Sequence, residues 1–165
     1  MESNHLTAVP SASLKALDKL VKLSIGNNLI VEIENGSFTG ALSGLLFLNL
    51  SHNRIESISP DAFTQLSSLT ELYLSNNRLK DLKINESNNL EISILDLSEN
   101  LFRAMPSELN LKRLRKLSLA GRAVCETQRD TLYSMASDGW LTRMLVTKFD
   151  CRSSTAAKRA ADKEQ

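Results

Sequence analysis

Two histidines, His5 and His52, and two cysteines, Cys125 and Cys151, are the whole supply of these side chains in 165 residues. Metal binding and nucleophilic catalysis therefore have little material. Neither histidine stands at a recognisable spacing from a cysteine or a carboxylate, and no glycine-rich phosphate loop occurs. His5 lies near the amino end, and His52 fills a variable slot beside Asn53. No enzymatic role, metal or cofactor is expected. A charge excess is missing too. The formal net charge is +1, which argues against a nucleic-acid partner, since that needs clustered Lys and Arg. The longest apolar run, residues 44–48, is far short of the roughly 20 residues of a membrane-spanning helix. The opening MESNHLTAVP has neither the basic start nor the apolar stretch of a secretory signal.

What is present suits one folded domain. Apolar residues make up 42% and charged residues 24%, the balance of a soluble protein with a sizeable core. Within it a sentence recurs: Leu50-Ser-His-Asn53-Arg-Ile55 returns as Leu74-Ser-Asn-Asn77-Arg-Leu79. The frame L-x-x-L-x-L-x-x-N-x-L also fits from Leu20 to Ile30 and from Ile92 to Phe102. A fifth copy holds Leu114, Leu117 and Leu119, with Arg122 in the asparagine slot and Val124 after it. Asn4, Leu6 and Val9-Pro10 form an incomplete opening copy. The asparagines at 4, 28, 53, 77 and 100 are 24, 25, 24 and 23 residues apart. Registers this close do not arise by chance.

The residue types account for the period. In L-x-L the side chains alternate, as in a short strand with one buried face. Leucines point inward and stack on the same positions of neighbouring coils. Asn28, Asn53, Asn77 and Asn100 are expected to be structural, each bonding backbone groups that the bend leaves unpaired inside. The outer half of each coil is filled by Ile33, Phe38 and Leu42 in one repeat and by Ile58, Phe63 and Leu66 in the next. No coil buries its apolar face alone, so stability belongs to the stack. Ser87 replaces the outer phenylalanine in the following repeat, and INESNNLE around it is polar; an irregular convex bulge is expected there.

This pattern closely resembles the leucine-rich repeat family, and its 24-residue NxIxxIxxxxFxxLxxL type of animal extracellular proteins. Residues 28–45 and 53–69 carry the signature. The G-x-I-P segment of the plant form is not present, and the cytosolic inhibitor form has longer repeats of about 28 residues. The resemblance covers roughly residues 1–124. It implies an α/β leucine-rich repeat solenoid, a horseshoe with a parallel sheet on its concave face and a small helical C-terminal cap.

After Val124 the repeat stops. Thr127-x-x-Asp130 reads as a capping box, and Leu132, Met135 and Ala136 mark one helical face. Asp138-Gly139 ends that helix, and Trp140, Leu141, Met144 and Leu145 add a second apolar cluster. A last coil needs such a cover. Cys125 and Cys151 bracket it, either as two unrelated buried thiols or as a disulfide worth roughly 3 kcal/mol in the chain-entropy model. The arrangement resembles the cysteine-bounded C-terminal module of extracellular leucine-rich repeat proteins, which usually has four cysteines and opens with C-x-C. Only two are here, without C-x-C, so the cap is a divergent one. The expected organisation is repeats over 1–124, a cap over 125–151 and a disordered polar tail over 152–165. At the front, the cysteine-bearing N-terminal cap of such proteins is missing. Either the chain is a fragment, or residues 1–19 serve as an improvised cap over an otherwise open edge.

The outward strand positions fall into columns. Lys22, Phe47, Glu71, Ile94 and Lys116 form the first, and Ser24, Asn49, Tyr73, Asp96 and Ser118 the second. The third, Gly26, Ser51, Ser75, Ser98 and Ala120, is small throughout, as steric fit at the bend requires. Phe47 and Tyr73 are expected to lie diagonally about 7–8 Å apart. With Ile94 they make an apolar ridge flanked by Lys22, Glu71, Asp96 and Lys116, the candidate ligand-binding set. The plainer reading is scattered surface hydrophobes. Three glycosylation sequons begin at Asn35, Asn49 and Asn85. A glycan on Asn49 would cover the ridge, so the two readings of that face exclude each other.

The expected function is non-catalytic recognition of a protein or microbial ligand by the concave face, in a secreted protein or receptor ectodomain. Invertebrate immune repeat proteins are similar in overall plan. An intracellular scaffold or adaptor using the same surface is the alternative. The ligand and the oligomeric state are not encoded in any motif.

Overall fold

A computed structural model of the chain describes residues 1–40, 42–85, 90–103, 106 and 113–119. Ser87, Ala120, Arg122, Val124, the expected cap with Cys125 and Cys151, and the tail lie outside the described residues. In chain order the elements are α1 (Ser11–Leu14), β1 (Lys22–Ser24), β2 (Glu32–Ile33), a 3-10 turn (Leu42–Gly44), β3 (Phe47–Asn49), β4 (Ser57–Ile58), β5 (Glu71–Tyr73), β6 (Ile94–Asp96) and β7 (Lys116–Ser118).

The L-x-L triplets are the strands. β1, β3, β5, β6 and β7 form one parallel sheet in that order, each paired with the strand one repeat away. The register brings Leu23, Leu48, Leu72, Leu95 and Leu117 into a single row. All five are buried. Slipping any strand by one residue would turn its leucine to solvent, which is why so short a strand holds its register. On the opposite wall, β2 and β4 pair in parallel, Glu32 beside Ser57 and Ile33 beside Ile58. The described coils thus stack into a parallel-strand solenoid, the architecture that the leucine-rich repeat resemblance implies, with its main sheet on the concave side.

The space between the walls is filled by stacked apolar side chains. Phe38 and Phe63 lie ring on ring, centroids 5.9 Å apart, and both are fully buried. Ile33, Leu42, Leu45, Ile55, Leu66 and Leu69 close around them. In the polar stretch of the next repeat, Leu82 and Ile84 take over this work and are also buried. Alternation carries these two inward and leaves Lys83 and Asn85 outside.

Residues 1–17 lie over the first coil. The Ser3 N–H donates to Gly26 O (3.1 Å), and the Leu29 N–H donates to Leu6 O (2.9 Å). Val9 and Leu14 enter the core. Where the segment crosses the 3-10 turn, Gly40 has φ 117°, and a Cβ there would lie 2.8 Å from Lys15 Cα. The apolar end of the first coil is therefore covered by chain, although β1 has a strand on one side only.

The four bends that carry Asn28, Asn53, Asn77 and Asn100 are held the same way. Asn53 Oδ1 accepts from the Ile30 N–H (3.1 Å), and its Nδ2 donates to Ile25 O (3.1 Å) and Leu50 O (3.0 Å). Asn77 does the same with Ile55 (3.0 Å), Leu50 (3.1 Å) and Leu74 (3.0 Å). Asn100 does so with Leu79 (3.0 Å), Leu74 (2.8 Å) and Leu97 (3.1 Å). Asn28 takes Leu6 (3.0 Å), Met1 (3.0 Å) and Ile25 (3.1 Å). The carbonyls of Ile25, Leu50 and Leu74 each serve two successive asparagines, so the bonds run as one ladder through the stack. Among the described residues no buried side-chain nitrogen or oxygen lacks a partner.

The residue before each ladder asparagine is left-handed. Asn27, His52, Asn76 and Glu99 have φ between 52° and 54°, and Ser3, before Asn4, has φ 55°. The slot of His52 is therefore open in side chain but constrained in backbone. Asparagine accepts this region readily. His52 and Glu99 are held there at about 1–2 kcal/mol each, because the adjoining asparagine is tied on both sides.

Asn77→Leu removes the partner of the buried Ile55 N–H and a donor to three carbonyls, those of Leu50, Leu74 and Ser75. It should lower stability by roughly 1–3 kcal/mol, read as a lower denaturant midpoint in chemical unfolding. An unchanged midpoint would contradict the role given to the ladder.

Candidate recognition face

With the middle residue of each triplet turned inward, the first and third side chains face out on the concave side. The register sets Lys22, Phe47, Glu71, Ile94 and Lys116 side by side, and Ser24, Asn49, Tyr73, Asp96 and Ser118 in the parallel row. Lys22 and Lys116 are exposed; Phe47, Glu71, Tyr73, Ile94 and Asp96 are partly buried.

Four of these side chains form a connected line. Lys22 Nζ lies 5.8 Å from the Phe47 ring centroid. Phe47 and Tyr73 have centroids 5.2 Å apart and planes tilted by 40°. This is closer than the 7–8 Å or so of a diagonal pair, because both rings lean into the gap between their strands. The Tyr73 hydroxyl donates to Glu71 Oε2 at 3.0 Å. Ile94 is in register between Glu71 and Lys116, and Asp96 between Tyr73 and Ser118.

The second row is braced from below. Asn49 Oδ1 accepts from the Ser51 N–H (3.0 Å) and Oγ (2.5 Å), and Asp96 Oδ1 from the Ser98 N–H (3.0 Å) and Oγ (2.6 Å). The bend behind leaves little room. A Cβ on Gly26 would sit 3.1 Å from Ser51 O and 3.3 Å from Asn49 Nδ2. Sequence reasoning missed Glu2. Its carboxylate accepts from Ser24 Oγ and from Asn49 Nδ2 (3.2 Å), placing the opening of the chain on the rim of this face. It also missed Val21 and Leu46, 45% and 42% exposed at the entrance to β1 and β3. The available signal was an apolar residue in the first x of L-x-x-L, where Thr70, Ser93 and Arg115 stand in other repeats.

The sequons differ in setting. Asn35 is exposed in a convex turn, followed by Gly36 at φ 82°. Asn85 is exposed and donates to Asp61 Oδ1 (2.9 Å). Asn49 donates through Nδ2 to both Glu2 and Ser24, the latter at 3.1 Å. A glycan on that nitrogen would displace one of these bonds and stand against Tyr73, its register partner.

The described residues hold neither a metal site nor a membrane-spanning helix: among them no group of three or more His, Cys, Asp or Glu could hold a metal ion, and no helix is long and apolar enough to cross a membrane.

Electrostatics converge on Tyr73. Burial, the hydrogen bond to Glu71 and the negative charges of Glu71 and Asp96 together hold its hydroxyl above the ordinary tyrosine pKa. Burial disfavours the phenolate, and the two carboxylates repel it.

Stacked parallel coils, an asparagine ladder and an outward sheet of varied side chains define a repeat solenoid. The family model described as leucine rich repeat matches residues 18–79, and over that stretch the chain carries leucine-rich repeats. It is 43% identical over 77 residues to a probable glycoprotein hormone G-protein coupled receptor of Anthopleura elegantissima, covering 47% of this chain and 8% of that protein. It is 35% identical over 77 residues to leucine-rich repeat-containing protein 3 of Danio rerio, covering 47% and 28%. To chaoptin of Drosophila melanogaster it is 29% identical over 139 residues, covering 81% and 10%. The chain thus spans under a third of the length of these relatives. Among solved structures, the crystal structure of a TLR13–ssRNA13 complex is similar, with TM-score 0.63 and 29% identity, covering 71% of this chain and 18% of that one.

The chain has two tyrosines, so a Tyr133→Phe variant reports Tyr73 alone. Its phenolate absorbance should rise with a midpoint above that of the unfolded chain, and Glu71→Gln should bring the midpoint down. Because the folded state holds this proton more tightly, the associated stability is present below the unfolded tyrosine pKa and lost as pH rises through the folded one. A midpoint at or below the unfolded value would contradict the arrangement.

Proposed function

We propose that the chain is a non-catalytic recognition module whose concave face binds a protein or microbial ligand. The observation that carries this reading is the Phe47–Tyr73 contact, 5.2 Å between centroids on the outward side of the sheet. The pair packs outside the leucine core, leaving its outer surface free to be covered by a partner. Phe47, Tyr73 and Ile94 supply apolar area for affinity, while Lys22, Glu71, Asp96 and Lys116 select the partner and steer encounter. The tied-up amide of Asn49 favours a ridge without a glycan; Asn35 and Asn85 are the sequons whose glycans would leave the face open.

The setting we propose is extracellular, in a secreted protein or receptor ectodomain with an innate-immune role. The similarity to a probable hormone receptor and to TLR13 supports this. TLR13 is bound to ssRNA13 in its complex. For this chain the net charge of +1 favours a protein ligand over a nucleic acid. Repeats over 1–124, a cap over 125–151 closed by a Cys125–Cys151 disulfide, and a polar tail complete the proposed organisation.

Peptides selected from a random library against the immobilised chain provide a ligand. Tyr73→Ala should weaken their binding by about 1–3 kcal/mol, roughly 5- to 150-fold, with the chain still folded. Asp61→Ala, on the convex side, should change neither. If Tyr73→Ala and Phe47→Ala both bind like the parent chain, the ridge is not the site.

The compartment has its own test. Mass spectrometry of the protein secreted from cells, without reduction, should find Cys125 joined to Cys151. Two freely alkylated thiols would sink the extracellular reading and favour an intracellular scaffold.

A further inference from the structure

The concave face has a charge pattern that its own residues leave incomplete. Glu71 and Asp96 flank Tyr73, one along the strand and one across it in register. Both are partly buried. Glu71 Oε2 accepts from the Tyr73 hydroxyl, and Asp96 Oδ1 from Ser98. Their other oxygens, Glu71 Oε1 and Asp96 Oδ2, accept nothing among the described residues. Among the described residues neither carboxylate is in an ion pair; Arg78 and Arg113 pair instead with Glu56 and Glu91. Lys22 is engaged over Phe47, with β3 between it and Glu71.

The chemistry narrows what completes this pattern. Two carboxylates fall short of the roughly six to eight oxygens that calcium takes. Lysine brings a compact, strongly hydrated charge. Arginine brings a planar, weakly hydrated fork that stacks on aromatic rings and bonds carboxylates along its edges. Neighbouring strands are about 4.8 Å apart, and diagonal positions such as Glu71 and Asp96 about 7–8 Å. A guanidinium over Tyr73 therefore reaches both carboxylates. The same two charges help hold the Tyr73 proton, a sign that they act together at that ring.

We propose that the concave face recognises an arginine side chain of its protein partner, held between Glu71 and Asp96 with its plane against the Tyr73–Phe47 pair. This rests on the concave face being the binding surface and adds the chemistry of the partner. Lys22 and Lys116 at the ends of the row exclude further cations on either side. The preferred partner segment thus carries its positive charge at the centre and neutral or acidic residues beside it.

The test is a titration of the isotopically labelled full chain with N-acetyl-arginine amide, followed by backbone amide shifts. The uncharged isostere N-acetyl-citrulline amide is the control. Arginine should shift Glu71, Tyr73 and Asp96 while citrulline leaves them in place. The Glu71→Gln/Asp96→Asn double variant should weaken the arginine response at least tenfold with its other resonances unmoved. Equal responses to arginine and citrulline would overturn the proposal. So would an arginine response that survives in the double variant, or one no larger at these residues than at Glu32, Glu34 and Asp61 on the rest of the surface. Failure here, with the library peptides still dependent on Tyr73, would leave the concave face standing and remove only arginine as its ligand. Peptides indifferent to Tyr73 would remove the face itself.

Discussion

The rest of the structure depends on how a chain can bend inside its own core without leaving polar groups unpaired. Each coil must leave the sheet, and the bend strips backbone N–H and C=O groups of their strand partners. Asn28, Asn53, Asn77 and Asn100 restore them, each spanning its own coil and the one before. Leucine in such a slot would bury as much carbon and leave the amides orphaned, at a cost that burial does not offset. The left-handed residue before each asparagine follows from the same constraint, since it aims the amide into the coil. Spacings from 23 to 25 residues are tolerated because the variation falls in the outer half, away from the ladder.

Once the ladder and the leucine row are fixed, two side chains per strand are left facing outward. They project from strands braced by leucines beneath and by Asn49–Ser51 and Asp96–Ser98 turns at their ends. Such a surface loses little freedom on binding, and that is a large part of what association otherwise costs. Tyr73 gathers the consequences in one place. It leans on Phe47, donates to Glu71, and sits in register with Asp96. The aromatic pair and the two carboxylates thus share one stretch of the outward face, with Lys22 at its far end over Phe47.

The opening residues connect the end of the stack to this face. Val9 and Leu14 cover the first coil, while Glu2 reaches around the rim to Ser24 and Asn49. Its carboxylate adds negative charge on the side of the sheet where Lys22 is exposed. The amide of Asn49 is engaged by this contact, which links the fate of a sequon to the path of the chain 47 residues before it.

The sequence by itself determined the architecture. The spacing of leucines and asparagines marked the strands, their parallel order and the row that turns inward, because a coil repeated at one period can bury its apolar side only by stacking in register. Phe38 and Phe63 were readable as outer-wall filling for the same reason. Tertiary structure decided everything that depends on neighbours more than twenty residues apart. It set the left-handed backbone at His52, the lean that brings Phe47 to Tyr73, the reach of Glu2, and the inward turn of Leu82 and Ile84 beside a polar run. Apart from the alternation at Leu82 and Ile84, none of these has a local signature. Each arises when one coil is laid on the next, and the distance across a strand pair, not the order of residues along a strand, sets which side chains meet.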